Sequence, residues 1–430
     1  MIKQPFIGLS QPKIKYDLVE AEPKEPEVIP VPKNILLLLN DSLNSAKITL
    51  INKGDQVKKG EKLFLYKESS EHVISSSSGV IKKIESYAGE FGDIKTSLVI
   101  ETDTKDESVN DFAEHADNLD LEIAARFLKL LPGAPPFETL TDPTKKIHTL
   151  VISGADQDLS STTRQYFLKT ASEDLKEGIQ ILKKITSIPK IVLTVPEGFR
   201  VETEISGMQV FNIPSDYPHA LPKMIMKEQL QTIVPAGSSC EDTGVCFISS
   251  EAVVSLAKAC RDKRMNFDKI VCITGKDGVQ RRVNATIGTP VANILKHFNI
   301  HVNDQDRLIV GGPFKGLATF TIFHPVQAHT DSIIIQDSDS IPHISDSACI
   351  NCGKCIKICP AKIPVNLLVR QLEANLFEDA AEKFDLESCI ECGLCSYVCT
   401  AKIPIFQYIR LGKHELLRIK AEAETEDANV

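Results

Sequence analysis

Eight cysteines between Cys349 and Cys399 fall into two runs of one form. The first reads Cys349-Ile-Asn-Cys352-Gly-Lys-Cys355-Ile-Lys-Ile-Cys359-Pro360, and the second Cys389-Ile-Glu-Cys392-Gly-Leu-Cys395-Ser-Tyr-Val-Cys399. Each is C-x2-C-x2-C-x3-C, the spacing that supplies ligands to two [4Fe-4S] clusters. A cubane needs one thiolate on each of its four irons, and three cysteines set two residues apart reach three of them from one tight turn. Gly353 and Gly393 let the backbone wrap a cluster there and aim N–H groups at its sulfurs. In this arrangement the fourth cysteine of each run ligates the other cluster. The spacing therefore groups Cys349, Cys352, Cys355 and Cys399 around one cubane, and Cys389, Cys392, Cys395 and Cys359 around the second. Structural zinc could also use eight cysteines, but it favours pairs and has no use for four per run. Disulfides would need an oxidising compartment, to which nothing directs the chain. Thr400 stands where Pro360 closes the first run; the proline shapes the turn and supplies no ligand.

The rest of the chain must house this centre. Its 430 residues, 42% hydrophobic, can bury several cores, and the length suggests roughly two to four domains. The net charge of −9 comes without a basic stripe, which argues against nucleic acid as a partner. The start, Met-Ile-Lys-Gln-Pro-Phe, has no apolar signal segment. The longest apolar run, Ile35 to Leu39, is far short of the roughly 20 residues of a membrane span. These features predict a soluble, cytoplasmic chain. Cys240, Cys246, Cys260 and Cys272 are scattered and read as ordinary buried thiols.

Taken in order, residues 1–33 are rich in proline and charge, which suits an extended surface arm. Short β-rich runs with glycine turns follow, at Leu50–Leu63 and Val73–Ile81. Acidic residues crowd between Asp103 and Glu122 as a linker ending in a helix start. From Leu121 to about Pro325 apolar strands alternate with helices, with strands at Thr149–Ile152, Lys190–Val195 and Ile270–Ile273. Helices are expected at Leu168–Ile185 and Glu251–Cys260, and the alternation indicates an α/β core with a largely parallel sheet. Arg282 to Leu295 reads as a strand, a turn and a helix. After the first cysteine run, Val365, Leu368, Val369, Leu372 and Leu376 make one apolar helical stripe. Ala421–Val430 is acidic and polar and is expected to be disordered.

Together these pieces resemble the C subunit of the Rnf electron-transport complex. The family is related to the NADH-binding subunit of respiratory complex I and to the flavin-containing cobalamin reductase. Phe6-Ile-Gly8 with Pro12-Lys13 and Lys15 looks like the family's F-x-G-G-x-H-P signature, with Gln11 where histidine is usual. Lys53-Gly54-Asp55 and Lys59-Gly60 look like its barrel repeat, akin to lipoyl domains. Those domains carry a lysine at the hairpin tip; Ser75–Ser78 stand there instead, which makes this barrel a scaffold. Asp242-Thr-Gly244-Val245, Ile287-Gly288-Thr289-Pro290 and Gly311-Gly312-Pro313-Phe-Lys-Gly316 match further family segments. The resemblance implies an α/β fold with a barrel-sandwich hybrid N-terminal domain. A Rossmann-like core with a small SLBB (ubiquitin-like) unit follows, then a helical ferredoxin domain with two [4Fe-4S] clusters. The corresponding boundaries are an arm 1–33, barrel 34–102, α/β domain 103–265, SLBB-like unit 266–335, dicluster domain 336–420 and tail 421–430.

The family's flavin site is altered here. Its glycine-rich loop G-x-G-G-A-G-F-P is replaced by Leu131-Pro132-Gly133-Ala134-Pro135-Pro136-Phe137, where three prolines remove three N–H donors. Its acidic element N-G-A-E-C-E-P becomes Ser153-Gly154-Ala155-Asp156-Gln157-Asp158-Leu159. Gly133, Gly154, Asp156 and Asp158 are the candidate FMN and NADH contacts, and the competing reading of the two acids is helix capping. The resemblance implies an electron-transfer subunit that relays single electrons through its clusters. It would sit peripherally at the membrane with other subunits of its complex, with a ferredoxin or flavoprotein as protein donor or acceptor. The alternatives are an NADH dehydrogenase subunit in which FMN feeds the clusters, and a soluble flavin–iron–sulfur cobalamin reductase.

Overall fold

The computed structural model describes residues 12–44, 46–69, 71–103, 107–199, 208–341, 344–345 and 347–428, with side chains to 423. Phe6, Gly8 and Gln11 lie outside the described residues. The chain forms two compact units. One comprises Tyr16–Ser215 and Glu241–Ser338. The other comprises Asp216–Cys240 and Asp339–Val430 with the chain's start through Lys15.

In the first unit, β1 (Glu27–Val28) gives the extended N-terminal segment one short strand, with both residues exposed. It adds in parallel to the strand Gln280–Thr286, and Ile29 and Val19 are buried in two different cores. Proline fixes the backbone here in an extended form, which an added edge strand can use. The barrel follows: β2 (Asn34–Leu39), β3 (Gln56–Val57), β4 (Lys62–Leu63), β5 (Val73–Ile74), β6 (Gly79–Ala88) and β7 (Ile94–Thr102). Its larger sheet runs β2-β7-β6-β3, all antiparallel, with β4 and β5 paired beside it. Alternate residues Ile35, Leu37 and Leu39 pack on Ile81, Leu98 and Ile100, the period-two pattern of a strand with one face inward. Ser75, Ser76 and Ser78 are buried, so this turn presents no exposed tip to carry a group.

The α/β core begins with α1 (Leu121–Leu128), where the Asp120 carboxylate accepts the Ile123 N–H at 2.7 Å as an N-cap. Then come α2 (Phe137–Thr141), β8 (Thr149–Ser153), α3 (Thr163–Thr170), α4 (Ser172–Thr186), β9 (Lys190–Pro196) and β10 (Gln209–Ile213). α5 (Pro222–Glu228) precedes β11 (Val245–Ser249) and α6 (Ser250–Asp262). The sheet order is β10-β9-β8-β11 with every pair parallel, half of a doubly wound fold. All of β8 is buried, as a strand covered on both faces must be. Where one helix was expected over Leu168–Ile185 there are two, because Ala171 leaves helical backbone (φ −131°, ψ 41°). Asp216–Cys240, with α5, groups with the other unit.

A third layer holds β12 (Asp268–Thr274), β13 (Gln280–Thr286), α7 (Val291–His297), β14 (Arg307–Val310), β15 (Leu317–Thr319) and β16 (Ser332–Gln336). The order β1-β13-β12-β16-β14-β15, with β12 antiparallel to β13 and parallel to β16, is a ubiquitin-like grasp extended by one strand. Ile270–Ile273, read from sequence among the α/β strands, is β12 of this sheet.

The second unit carries α8 (Lys354–Ile358), α9 (Val365–Glu373), α10 (Phe377–Phe384), α11 (Leu394–Tyr397) and α12 (Ile405–Ala428). The stripe Val365, Leu368, Val369 and Leu372 is buried, but Leu376 lies beyond the end of α9 and is exposed. Helix α12 continues to Ala428, which corrects the expectation of disorder from 421. Alanine and glutamate there are strong helix formers, and Arg418 pairs with both Glu415 and Glu422 along the helix.

Candidate metal centre

The two cysteine runs fold alike because one sequence is used twice. Cys-Ile-x-Cys-Gly-x-Cys-x3-Cys-x-Ala-Lys-Ile-Pro recurs at an offset of 40 residues. In each run the residue before the second cysteine (Asn351 and Glu391, both φ 55°) and the following glycine (Gly353 φ 71°, Gly393 φ 70°) take left-handed backbone. A one-turn helix, α8 or α11, then starts. This path turns main-chain N–H groups onto sulfur: Lys354 to Cys352, Ile356 to Cys355 and Leu394 to Cys392. Glu391 N–H donates to Cys389 Sγ at 3.4 Å.

Cys349, Cys352, Cys355 and Cys399 line one cavity, walled by Val369, Ile403 and Ile405. Cys359, Cys389, Cys392 and Cys395 line another, walled by Val365, Phe406 and Ile409. Cys399 of the second run thus lines the cavity of the first, and Cys359 of the first lines that of the second. The crossing of α9 and α12 brings this about, and it meets at equivalent positions. A Cβ on Gly412 would lie 2.4 Å from Leu372, its counterpart at the same offset. Among the described residues, no three His, Cys, Asp or Glu approach closely enough to share a single ion. Four sulfurs on one zinc would stand about 3.8 Å apart. These stand around the rims of two cavities, as the separate irons of a cubane require. Burial pushes the Cys355 thiol up to about 11 and the Cys392 thiol up to about 12, so those two need a cationic centre to ionise; the Lys354 N–H holds exposed Cys352 below the usual thiol range. Sulfur set, apolar walls and N–H···S contacts all fit a cubane.

The two cavities differ in their surroundings. Cys359, Cys389, Cys392 and Cys395 are each 7–9% exposed, whereas Cys352 in the other set is exposed. Behind the buried set, Lys413 Nζ donates to the Cys389 carbonyl at 2.7 Å and to Glu391 Oε1 at 2.8 Å. Tyr217 donates its hydroxyl to the Cys392 carbonyl at 2.7 Å. Sequence reasoning missed both residues. Lys413 could have been found by laying the two halves over each other, since Glu373 occupies its position in the first; nothing in the sequence marks Tyr217.

The candidate flavin contacts gather at the switch point between β8 and β11, where doubly wound sheets bind ligands. All are engaged internally. Gly133 N–H donates to Ala328 O at 2.8 Å, its carbonyl accepts from Ser249 Oγ at 3.2 Å, and a Cβ there would lie 2.5 Å from Ala252 N. A Cβ on Gly154 would strike Leu168 and the Thr194 carbonyl, so this glycine serves helix–strand packing. Asp156 accepts from Ser161 Oγ (2.9 Å), Arg164 N (3.1 Å) and Gln165 Nε2 (3.0 Å), capping the start of α3. Asp158 accepts from Leu159 N (2.8 Å), Phe314 N (3.2 Å) and Lys315 N (2.6 Å). Its carboxylate thus sits against the Gly311–Gly316 loop in the place an anion would take, and burial pushes its pKa up to about 6. Nearby, fully buried Lys269 bridges Glu251 (2.5 Å) and Asp331 (3.2 Å). Burial opposes the ammonium charge, yet the two carboxylates raise its pKa above the ordinary value. Beside Asp158 opens a cavity of about 480 Å³ lined by Tyr87, Arg164, Phe320, His324 and Asp331.

Comparison with known proteins places this geometry. Residues 10–105 match the family model of the RnfC barrel sandwich hybrid domain, and residues 341–400 match a 4Fe-4S dicluster domain. The C subunit of the proton-translocating ferredoxin:NAD(+) oxidoreductase complex of Clostridium ljungdahlii is 26% identical over 416 residues, covering 90% of this chain and 89% of that protein. The chain is similar to RnfC subunits over most of its length. The C subunit of the Na(+)-translocating ferredoxin:NAD(+) oxidoreductase complex of Acetobacterium woodii is 25% identical, over 80% of this chain and 81% of its own. Other RnfC relatives are longer: this chain spans 48% of the C subunit of the ion-translocating oxidoreductase complex of Pectobacterium carotovorum, at 26% identity. A solved NAD+-reducing [NiFe]-hydrogenase chain aligns with a TM-score of 0.44 at 11% identity, over 71% of this chain and 62% of that one. In this chain the dicluster match ends at residue 400 and omits both Tyr217 and Lys413.

Proposed function

We propose that this chain relays single electrons through two [4Fe-4S] clusters as the C subunit of an ion-translocating oxidoreductase complex. One cluster is assigned to Cys349, Cys352, Cys355 and Cys399, and the other to Cys389, Cys392, Cys395 and Cys359. The observation that carries this reading is the crosswise grouping of cysteines around two separate cavities. Such clusters supply one-electron chemistry; the chain's own residues fix their places, shield one from water and leave the other near the surface. Among the described residues no helix is long and apolar enough to cross a membrane. We assign attachment to partner subunits, with a protein donor or acceptor such as a ferredoxin or flavoprotein.

A second reading retains FMN and NADH oxidation, and one observation favours it: the ligand-sized cavity beside Asp158. Against it, the groups at the switch point already have internal partners. Anaerobic purification with iron, sulfide and flavin measured on one sample separates the two. The relay reading expects about eight irons and no flavin per chain. One FMN per chain, with NADH oxidation, would overturn it in favour of the second.

A further inference from the structure

The buried cysteine set poses a problem that the exposed set does not. Reducing a cubane adds a negative charge to a site that already carries four thiolates. Burial without compensation disfavours that charge. At the Cys352 end water is at hand, and Lys354 lines the cavity. At the other end all four cysteines are 7–9% exposed, and Leu394 stands at the position equivalent to Lys354. A lysine appears elsewhere in the second half: Glu373 of the first half is replaced by Lys413. Lys413 approaches from α12, 21% exposed, and its ammonium holds the Cys389 carbonyl at 2.7 Å. Its partner Glu391 is 40% exposed, so water screens that charge more than the lysine's.

We propose that Lys413 is the positioning residue that makes the Cys389–Cys392–Cys395–Cys359 centre reducible. It sets that centre's potential with a partly buried positive charge, while solvent and Lys354 serve the exposed centre. Tyr217 supports it by occupying the Cys392 carbonyl. The inference rests on the cluster assignment above and goes beyond it in naming how the two centres are made different.

The test is an anaerobic potentiometric titration of the full-length, iron-loaded chain, followed by electron paramagnetic resonance. Iron content is measured on every sample, and Cys352→Ser identifies the exposed centre's signal. Lys413→Gln should make reduction of one centre about tenfold less favourable, a fall in midpoint of about 59 mV for a one-electron couple, and leave the exposed centre unchanged. Lys413→Arg should restore most of the shift. Glu391→Gln should move the same centre upward, which keeps the test decisive if Lys413→Gln folds poorly. Unshifted midpoints at full iron content, equal shifts in both centres, or loss of half the iron in Lys413→Gln would each overturn the proposal; the last would make the lysine an assembly brace. A wild-type chain without iron would instead sink the cluster assignment.

Discussion

Two regions of this molecule carry residue types suited to redox cofactors, and they use those residues in opposite ways. In the cysteine runs the sulfurs line cavities, main-chain N–H groups face them, and the carbonyls behind are held by Lys413 and Tyr217. At the sheet's switch point, Gly133, Asp156, Asp158 and Ser249 are bonded to the protein itself. A binding site keeps its ligating atoms available and supports them from behind; a scaffold satisfies the same kinds of atom internally. Residue type alone does not separate the two cases. The state of the partners does.

The comparison breaks most sharply at a cysteine. Cys395→Ala removes one ligand from the buried set and should lower iron from about eight to about four per chain, leaving one cluster's spectrum intact. Loss of all iron would mean that the two cavities do not bind independently.

The crevice side is sharpened by Lys269, which is fully buried between Glu251 and Asp331. Lys269→Met strands Glu251, 1% exposed, without its counter-charge. Breaking a buried pair from one side costs about 3–5 kcal/mol, while removing both partners is often close to neutral. Lys269→Met should therefore unfold at clearly lower denaturant, and Lys269→Met with Glu251→Leu should recover most of the loss. Equal stability of single variant and wild type would show the crevice to be hydrated and open.

Legibility in the sequence followed the length scale of each signal. The two cysteine runs stand out in the sequence because each packs its four thiols into 11 residues of one repeated spacing. The parallel strands Thr149–Ile152 and Lys190–Val195 were readable because a sheet covered on both faces needs unbroken apolar runs. What escaped depends on contacts distant in sequence. β1 is two residues whose partner lies over 250 positions away, at Val283 and Asn284. The transfer of Asp216–Cys240 to the other unit turns on contacts such as Tyr217 with Cys392. Asp156 and Asp158 looked alike in sequence; only the fold shows one capping α3 and the other filling the Gly311–Gly316 loop.

The smallest expected effect tests that last assignment. Asp158 is 8% exposed, and burial lifts its pKa from an ordinary 3.8 to about 6 despite three main-chain donors. Its folded pKa lies above the unfolded one, so folding favours the protonated acid. That contribution is complete below about pH 4 and is lost as pH rises through 6. Two pKa units correspond to on the order of 3 kcal/mol in all, roughly half of it between pH 5 and pH 7. Over that window the stability of Asp158→Asn, which cannot ionise, should gain about 1 kcal/mol relative to wild type in urea titrations with iron content held constant. Parallel pH profiles would place the carboxylate in water. The glycine loop would then be free to accept an anion, and the contrast between the two regions would fail at its closest point.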